Sequence, residues 1–139
     1  MSIDLSQFLE IYYEESFENL DAMENSLLSL EVGDPDDEVI NTIFRGAHSI
    51  KGGSGTFNLS CVTNFTHTLE TLLDQLRSGE RAVSQDLVDL LLKSTDCLRE
   101  MLTVLHNNGE PDLTTADELQ KQCQALLDSE SDASPSGRA

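Results

Sequence analysis

The residues best suited to chemistry lie together in AHSIKGGSGTF, positions 47 to 57. His48 and Lys51 are three apart, and Gly52, Gly53 and Gly55 follow, with Ser54 between them. Imidazole titrates near neutral pH, and in its neutral form one ring nitrogen carries a free lone pair, so it can act as a base or a nucleophile. A lysine one helical turn on sets a cation beside it. The glycines are harder to explain, because each costs a helix about 1 kcal/mol relative to alanine. One reading reconciles them: the glycines strip side chains from the helix surface beside His48, so that a bulky partner can reach the ring.

A second cluster lies downstream. His67 and Glu70 are spaced i, i+3 and share a flank of their helix. On a wheel of about 100° per residue with Val39 at zero, the apolar residues from Val39 to Phe44 and Ile50 span about 0° to 140°, and His48 falls at about 180°. His48 therefore sits at the rim of the buried face, with Lys51 and Gly52 flanking it one turn on. On the following helix Glu70 lies near the rim and His67 further out. An antiparallel pairing of the two helices brings Glu70 and His67 beside His48. A carboxylate accepting from Nδ1–H fixes the tautomer and leaves Nε2 as the nucleophile, the logic of a base held by an orienting carboxylate. The residues alone leave a second reading open, in which His48 is an ordinary surface histidine, Glu70 is solvated or paired with Lys51, and Gly53 merely ends or loosens the helix.

The elements that must position these groups are helices. Leu9, Tyr13, Ser16, Leu20, Met23, Leu27 and Leu30 recur at steps of four and three, which predicts a first helix from about Asp4 to Glu31. Gly33 stops it, and Asp34-Pro35 starts the second by the cap-then-proline rule. Val39, Ile40, Ile43, Phe44, Ala47 and Ile50 form the second apolar face, which runs to about Gly55. Asn58 or Ser60 caps a third helix lined by Val62, Phe65, Leu69, Leu72, Leu73 and Leu76, closed by Gly79 as a left-handed cap. Ser84 caps a fourth. Thr115 and Glu118 form a capping box for a fifth. Near the end of the fourth helix, His106 reads as a helix-end residue facing the C-terminal dipole. Short connections make neighbours antiparallel. The expected fold is all-α: an antiparallel up-down four-helix bundle with a fifth C-terminal helix, over residues 1–128. The run 129–139, SESDASPSGRA, is too polar to bury a core and reads as a disordered tail or the start of an interdomain linker. That tail points to an excised N-terminal domain, monomeric on its own.

Composition narrows the function classes. The 139 residues suit one domain, and aromatics make up only 5%, which favours an aliphatic helical core over a β-sandwich. A net charge of −18, from 26 acidic and 8 basic residues, argues against nucleic acid and against anionic membrane surfaces. No run approaches the roughly 18 apolar residues of a membrane span. Cys61, Cys97 and Cys123 are far apart, without metal spacing. An odd count without a signal peptide points to reduced, core-filling thiols in a cytoplasmic protein. No di-iron Glu-x-x-His arrangement occurs, so no metal is expected.

HSIKGGSGTFNL resembles the phosphorylation motif of histidine-containing phosphotransfer (HPt) domains. FRGAHSIKGGSGTF, HTLETLLDQLRSGE and the acidic first helix look most like the N-terminal phosphotransfer domains of bacterial chemotaxis histidine kinases, over roughly residues 5 to 128. The resemblance implies an HPt-like bundle in a two-component phosphorelay. His48 would be phosphorylated on Nε2, Glu70 would hydrogen-bond the other ring nitrogen, and Lys51 would neutralise the phosphate and its transition state. His67 would assist in the same network, and Gly52 would leave room for the partner. It further implies that the chain is the substrate domain of a sensor histidine kinase. A separate ATP-binding kinase domain would supply the γ-phosphoryl group, and an aspartate on response-regulator receiver domains would take it. The chain has no Walker A sequence, so no cofactor is expected on it: ATP and magnesium would belong to the kinase domain, and magnesium also to the regulator. The competing class is a non-catalytic interaction bundle in which His48 is incidental.

Overall fold

The computed structural model describes residues 5–128, which form five helices: α1 (Leu5–Ser29), α2 (Asp37–Thr56), α3 (Ser60–Ser78), α4 (Gln85–His106) and α5 (Thr114–Asp128). The polar run expected to be a tail lies outside the described residues. Helices α1 to α4 make the expected antiparallel bundle, α1 packing on α2 and α4, and α3 on α2 and α4; α5 lies against α3 and α4. Cross-helix pairs show the directions. Tyr12, early in α1, donates to the Ile50 carbonyl late in α2 (2.8 Å), and Ser54 of α2 meets Thr63 of α3 (2.7 Å). Arg99 of α4 reaches back to Asp21 (2.9 Å) and Glu24 (3.0 Å) of α1.

The core follows the apolar stripes. Val62, Phe65, Leu69, Leu72, Leu73 and Leu76 of α3 are all buried, as are Leu20, Met23 and Leu27 of α1. On α2 the buried face centres on Ile40, Ile43, Ala47 and Ile50, while Val39 and Phe44 are half-buried. Tyr12, outside the expected stripe, is buried beside Tyr13. Burial pushes its hydroxyl up to about 12, so it remains a donor. The cysteines are free thiols, Cys97 and Cys123 buried and Cys61 partly so. Burial pushes Cys97 up to about 11.

Several helix ends differ from the sequence reading. Asp36, not Asp34, caps α2, its carboxylate accepting from the Glu38 amide (2.8 Å). Pro35 therefore precedes the cap. Asn58 caps nothing at the start of α3. It is left-handed (φ 59°) and closes α2, with Leu59 N–H donating to the Ser54 carbonyl (2.9 Å) and Asn58 N–H to the Gly55 carbonyl (3.3 Å). That six-to-one and five-to-two pair is the Schellman closure, built here on asparagine instead of glycine. The Thr115–Glu118 box is replaced by Asp112, which accepts from the amide and the hydroxyl of Thr114. Ser84 and Gly79 cap as expected: Ser84 accepts from the Leu87 amide, and Gly79 is left-handed (φ 83°). His106 does lie in the last turn of α4, but its Nε2 faces the Glu10 carboxylate (2.9 Å) and its ring packs on Tyr13. It ties α4 to α1, beyond any dipole effect.

The glycines of α2 divide into two kinds. Gly46 and Gly53, two turns apart on one face, face α1 closely. A Cβ on Gly53 would lie 2.3 Å from Cδ1 of Tyr12, and one on Gly46 would lie 2.7 Å from Cγ of Met23. Gly52 and Gly55 face open space, where a Cβ would meet nothing within 4 Å. Gly53 therefore neither ends nor loosens the helix; it is the seat of the Tyr12 ring. Gly53→Ala should destabilise the bundle by about 1–3 kcal/mol, the range for overpacking a fitted contact. Gly52→Ala should cost nothing and gain up to about 1 kcal/mol of helix propensity. Urea unfolding of both variants checks this, and equal effects would contradict the division.

Candidate functional site

His48 and Lys51 project from α2 toward α3, where Glu70 meets both. Nδ1 of His48 contacts Oε2 of Glu70, and Nζ of Lys51 lies 2.5 Å from Oε1. The three differ sharply in exposure: the side chain of His48 is 64% exposed, Lys51 27% and Glu70 12%. Burial raises the Glu70 carboxyl, but hydrogen bonds and charge from Lys51 and His48 outweigh it, and the group ends below its ordinary range. Glu70 is thus a carboxylate, which can only accept. Nδ1 must then carry the proton, and Nε2 of the neutral ring is left with its lone pair on an exposed face. The contacts of Glu70 and Lys51 therefore leave Nε2 uncovered, an arrangement in which it can act as a nucleophile.

The turn that carries these residues is reinforced by side-chain hydroxyls, one from α1 and two from α2 itself. Three consecutive carbonyls receive side-chain hydroxyls: Ile50 from Tyr12 (2.8 Å), Lys51 from Ser54 (2.6 Å) and Gly52 from Thr56 (3.4 Å). Ser54 is fully buried, and its oxygen also meets the Thr63 hydroxyl (2.7 Å), pinning α2 to α3 two turns beyond His48. These bonds hold a glycine-rich segment helical where its own propensity is poor.

The structure brings His48, Glu70 and Lys51 together, with Gly52 open beside the ring one turn on. It does not bring in His67. That residue is exposed on α3, one turn before Glu70, and has no side-chain hydrogen bond or ion pair among the described residues, so the expected contact with His48 is not made. The wheel already pointed it outward. Two neighbours escaped the sequence reading. Phe44, assigned to the core face, is half-buried, and its ring lies parallel to that of His48 (9°, centroids 6.0 Å apart). Arg77 of α3 places its guanidinium carbon 3.8 Å from the centroid of Phe44. The i−4 spacing of Phe44 was visible in the sequence. The approach of Arg77 depends on the α2–α3 register and was not. Among the described residues, no three His, Cys, Asp or Glu side chains cluster as a metal site, and no helix is long and apolar enough to cross a membrane.

Comparison with known proteins bears on the family and the fold. The family model described as "Hpt domain" matches residues 7–108, the span of α1 to α4. The chemotaxis protein CheA of Salmonella typhimurium is 41% identical over 126 residues, 91% of this chain and 18% of that protein. CheA of Rhizobium meliloti is 37% identical over 92% of this chain and 17% of that protein. The chain thus spans less than a fifth of the length of these relatives. Among solved structures, the phosphorylated P1 domain of CheA3 in complex with CheY6 from R. sphaeroides superposes with a TM-score of 0.77 at 29% identity, covering 86% of this chain and 94% of that one. The solution structure of the histidine phosphotransfer domain of CheA gives 0.75 at 29% identity, covering 88% and 93%.

The lowered carboxyl of Glu70 has a signed consequence. Unfolded, the group titrates near its ordinary 4.5; folded, it holds its charge to lower pH. Its stabilisation is therefore complete above about pH 5 and is lost as pH falls through the folded value. Between about pH 5 and pH 3, unfolding free energy should fall more steeply for the native chain than for Glu70→Gln. Urea titrations at several pH values measure the two slopes, and parallel slopes would contradict the pairing.

Proposed function

The chain belongs to the Hpt domain family, and from that premise we propose that it is a phosphoryl relay in which His48 is the acceptor and donor. The observation that carries this is the exposed imidazole whose Nδ1 is bound to a buried carboxylate, leaving Nε2 free. In the first step the Nε2 lone pair attacks the γ-phosphorus of ATP held by a separate, CheA-type kinase domain. An N–P bond forms as the P–O bond to ADP breaks, and the Nδ1 proton stays in place, held by Glu70. In the second step an aspartate oxygen of a receiver domain, CheY- or CheB-like, attacks the same phosphorus, and the electron pair returns to Nε2. ATP and magnesium reach the reaction on those partners.

Phosphoryl transfer depends on positioning and on charge neutralisation. Glu70 supplies the first through the ring. Lys51 supplies the second: partly exposed and one turn from His48, it can turn part of its charge from Glu70 to the incoming phosphoryl oxygens. Gly52 keeps the approach clear. The open space at Gly52 and Gly55 counts against a plain interaction bundle, because neither packing nor a positive φ requires glycine there, and a fold alone would favour alanine.

Incubation with a chemotaxis kinase core and labelled ATP should give acid-labile, alkali-stable label on the native chain and none on His48→Gln. Glu70→Ala should slow labelling by on the order of 10- to 100-fold, the scale of a misplaced reacting group, while the helical signal persists. A native chain left unlabelled by several cores would favour the interaction bundle, and native kinetics in Glu70→Ala would remove the orienting role.

A further inference from the structure

The hydrogen bond to Glu70 fixes one atom of the reacting ring and leaves a freedom open. The imidazole can still rock about its Cβ–Cγ bond, because χ2 is a broad torsion without sharp wells and a hydrogen bond tolerates a spread of donor angles. The lone pair on Nε2 lies in the ring plane, so each pivot swings the direction of attack. In-line transfer requires that direction to be held.

A second chain of contacts removes the pivot. Phe44 lies one turn before His48 on α2, its ring parallel to the imidazole within 9°. A parallel aromatic neighbour favours one plane over the others. Phe44 is itself only half-buried, so the core alone does not hold it. Arg77 holds it from α3: the guanidinium sits 3.8 Å from the ring centroid, where the aromatic quadrupole attracts a cation. Asp74, one turn earlier on α3, accepts from the same guanidinium (2.7 Å) and fixes its plane. His48 is therefore tied to α3 twice, edge-on through Glu70 and face-on through Phe44 and Arg77.

We propose that Phe44 and Arg77 are positioning residues for phosphoryl transfer, setting the plane of the His48 imidazole and so the direction of the Nε2 lone pair. The role rests on the acceptor function proposed for His48. It differs from a docking role in that it acts whichever donor presents the phosphoryl group.

The test uses the full chain and a small donor, phosphoramidate, which needs no docking surface. Phe44→Leu should slow labelling of His48 about 10-fold, and Phe44→Tyr, which keeps the ring, should restore it. Arg77→Ala should slow it about 3-fold, the equivalent of one exposed cation–π contact, and Arg77→Lys should recover part. The double variant Phe44→Leu/Arg77→Ala should be no slower than Phe44→Leu alone, because Arg77 acts through the ring. By proton NMR, the ring-current shift on the His48 carbon-bound protons should vanish in Phe44→Leu and shrink in Arg77→Ala, with melting temperatures confirming the fold. Native rates in the single variants, multiplying effects in the double variant, or a loss seen only with a protein donor would each overturn the positioning role. A native chain that takes no label, with unlabelled His48→Gln beside it, would instead overturn the acceptor reading itself.

Discussion

A carboxylate removed from water must be met by partners or lose its charge. Glu70 is the one charged side chain buried among the described residues, and both of its partners stand on the neighbouring helix. That requirement fixes how α3 lies against α2. A slip of one residue would strand the carboxylate, so the register is held by an electrostatic demand as well as by apolar fit. The same demand makes the site directional. Because Glu70 remains ionised it can only accept, and because it accepts from Nδ1 the other ring nitrogen is left bare. One buried charge thus sets helix register and the tautomer of an exposed ring together.

Helix α2 carries opposite requirements on its two flanks. Toward α1 it needs glycine for closeness: the Tyr12 ring occupies the space where a side chain of residue 53 would stand. Toward solvent, at Gly52 and Gly55, the backbone is bare although nothing in the fold fills the space. A segment thinned on both sides should fray. Hydroxyls of Tyr12, Ser54 and Thr56 bound to successive carbonyls hold it, and the left-handed Asn58 closes it cleanly. The rigidity of the site thus comes from hydroxyls of α2 itself, supplemented by Tyr12 of α1 and by Thr63 of α3 through Ser54.

Much of this was legible in the sequence. The apolar stripes marked the helices, the wheel placed His48 at the rim, and the i, i+3 spacing put Lys51 on the same side as His48. What escaped depended on register between helices. Gly52 and Gly53 are identical in sequence, and only the position of Tyr12 separates the open one from the packed one. Arg77 is far from Phe44 along the chain and comes over its ring only once α3 is docked. His67 shares a spacing with Glu70, yet an offset of about 60° on the wheel leaves it in solvent. The start of α2 failed for a local reason: Asp34-Pro35 has the composition of a helix start, but Asp36 is a competing cap two residues later, and its carboxylate reaches the Glu38 amide.

The exposed ring stands on the outer flank of α2, its side chain 64% exposed. Its Nε2 has one lone pair and so bonds to one phosphorus at a time. In the relay proposed for His48, whatever delivers a group to Nε2 must leave before anything collects it, so traffic is a strict alternation, as at a single-track crossing. Between visits a phosphoryl group on Nε2 would stand on an exposed face, and its survival in water would set the longest gap the alternation can tolerate. Selectivity would then fall to the visitors, which must bring their own enclosure with them.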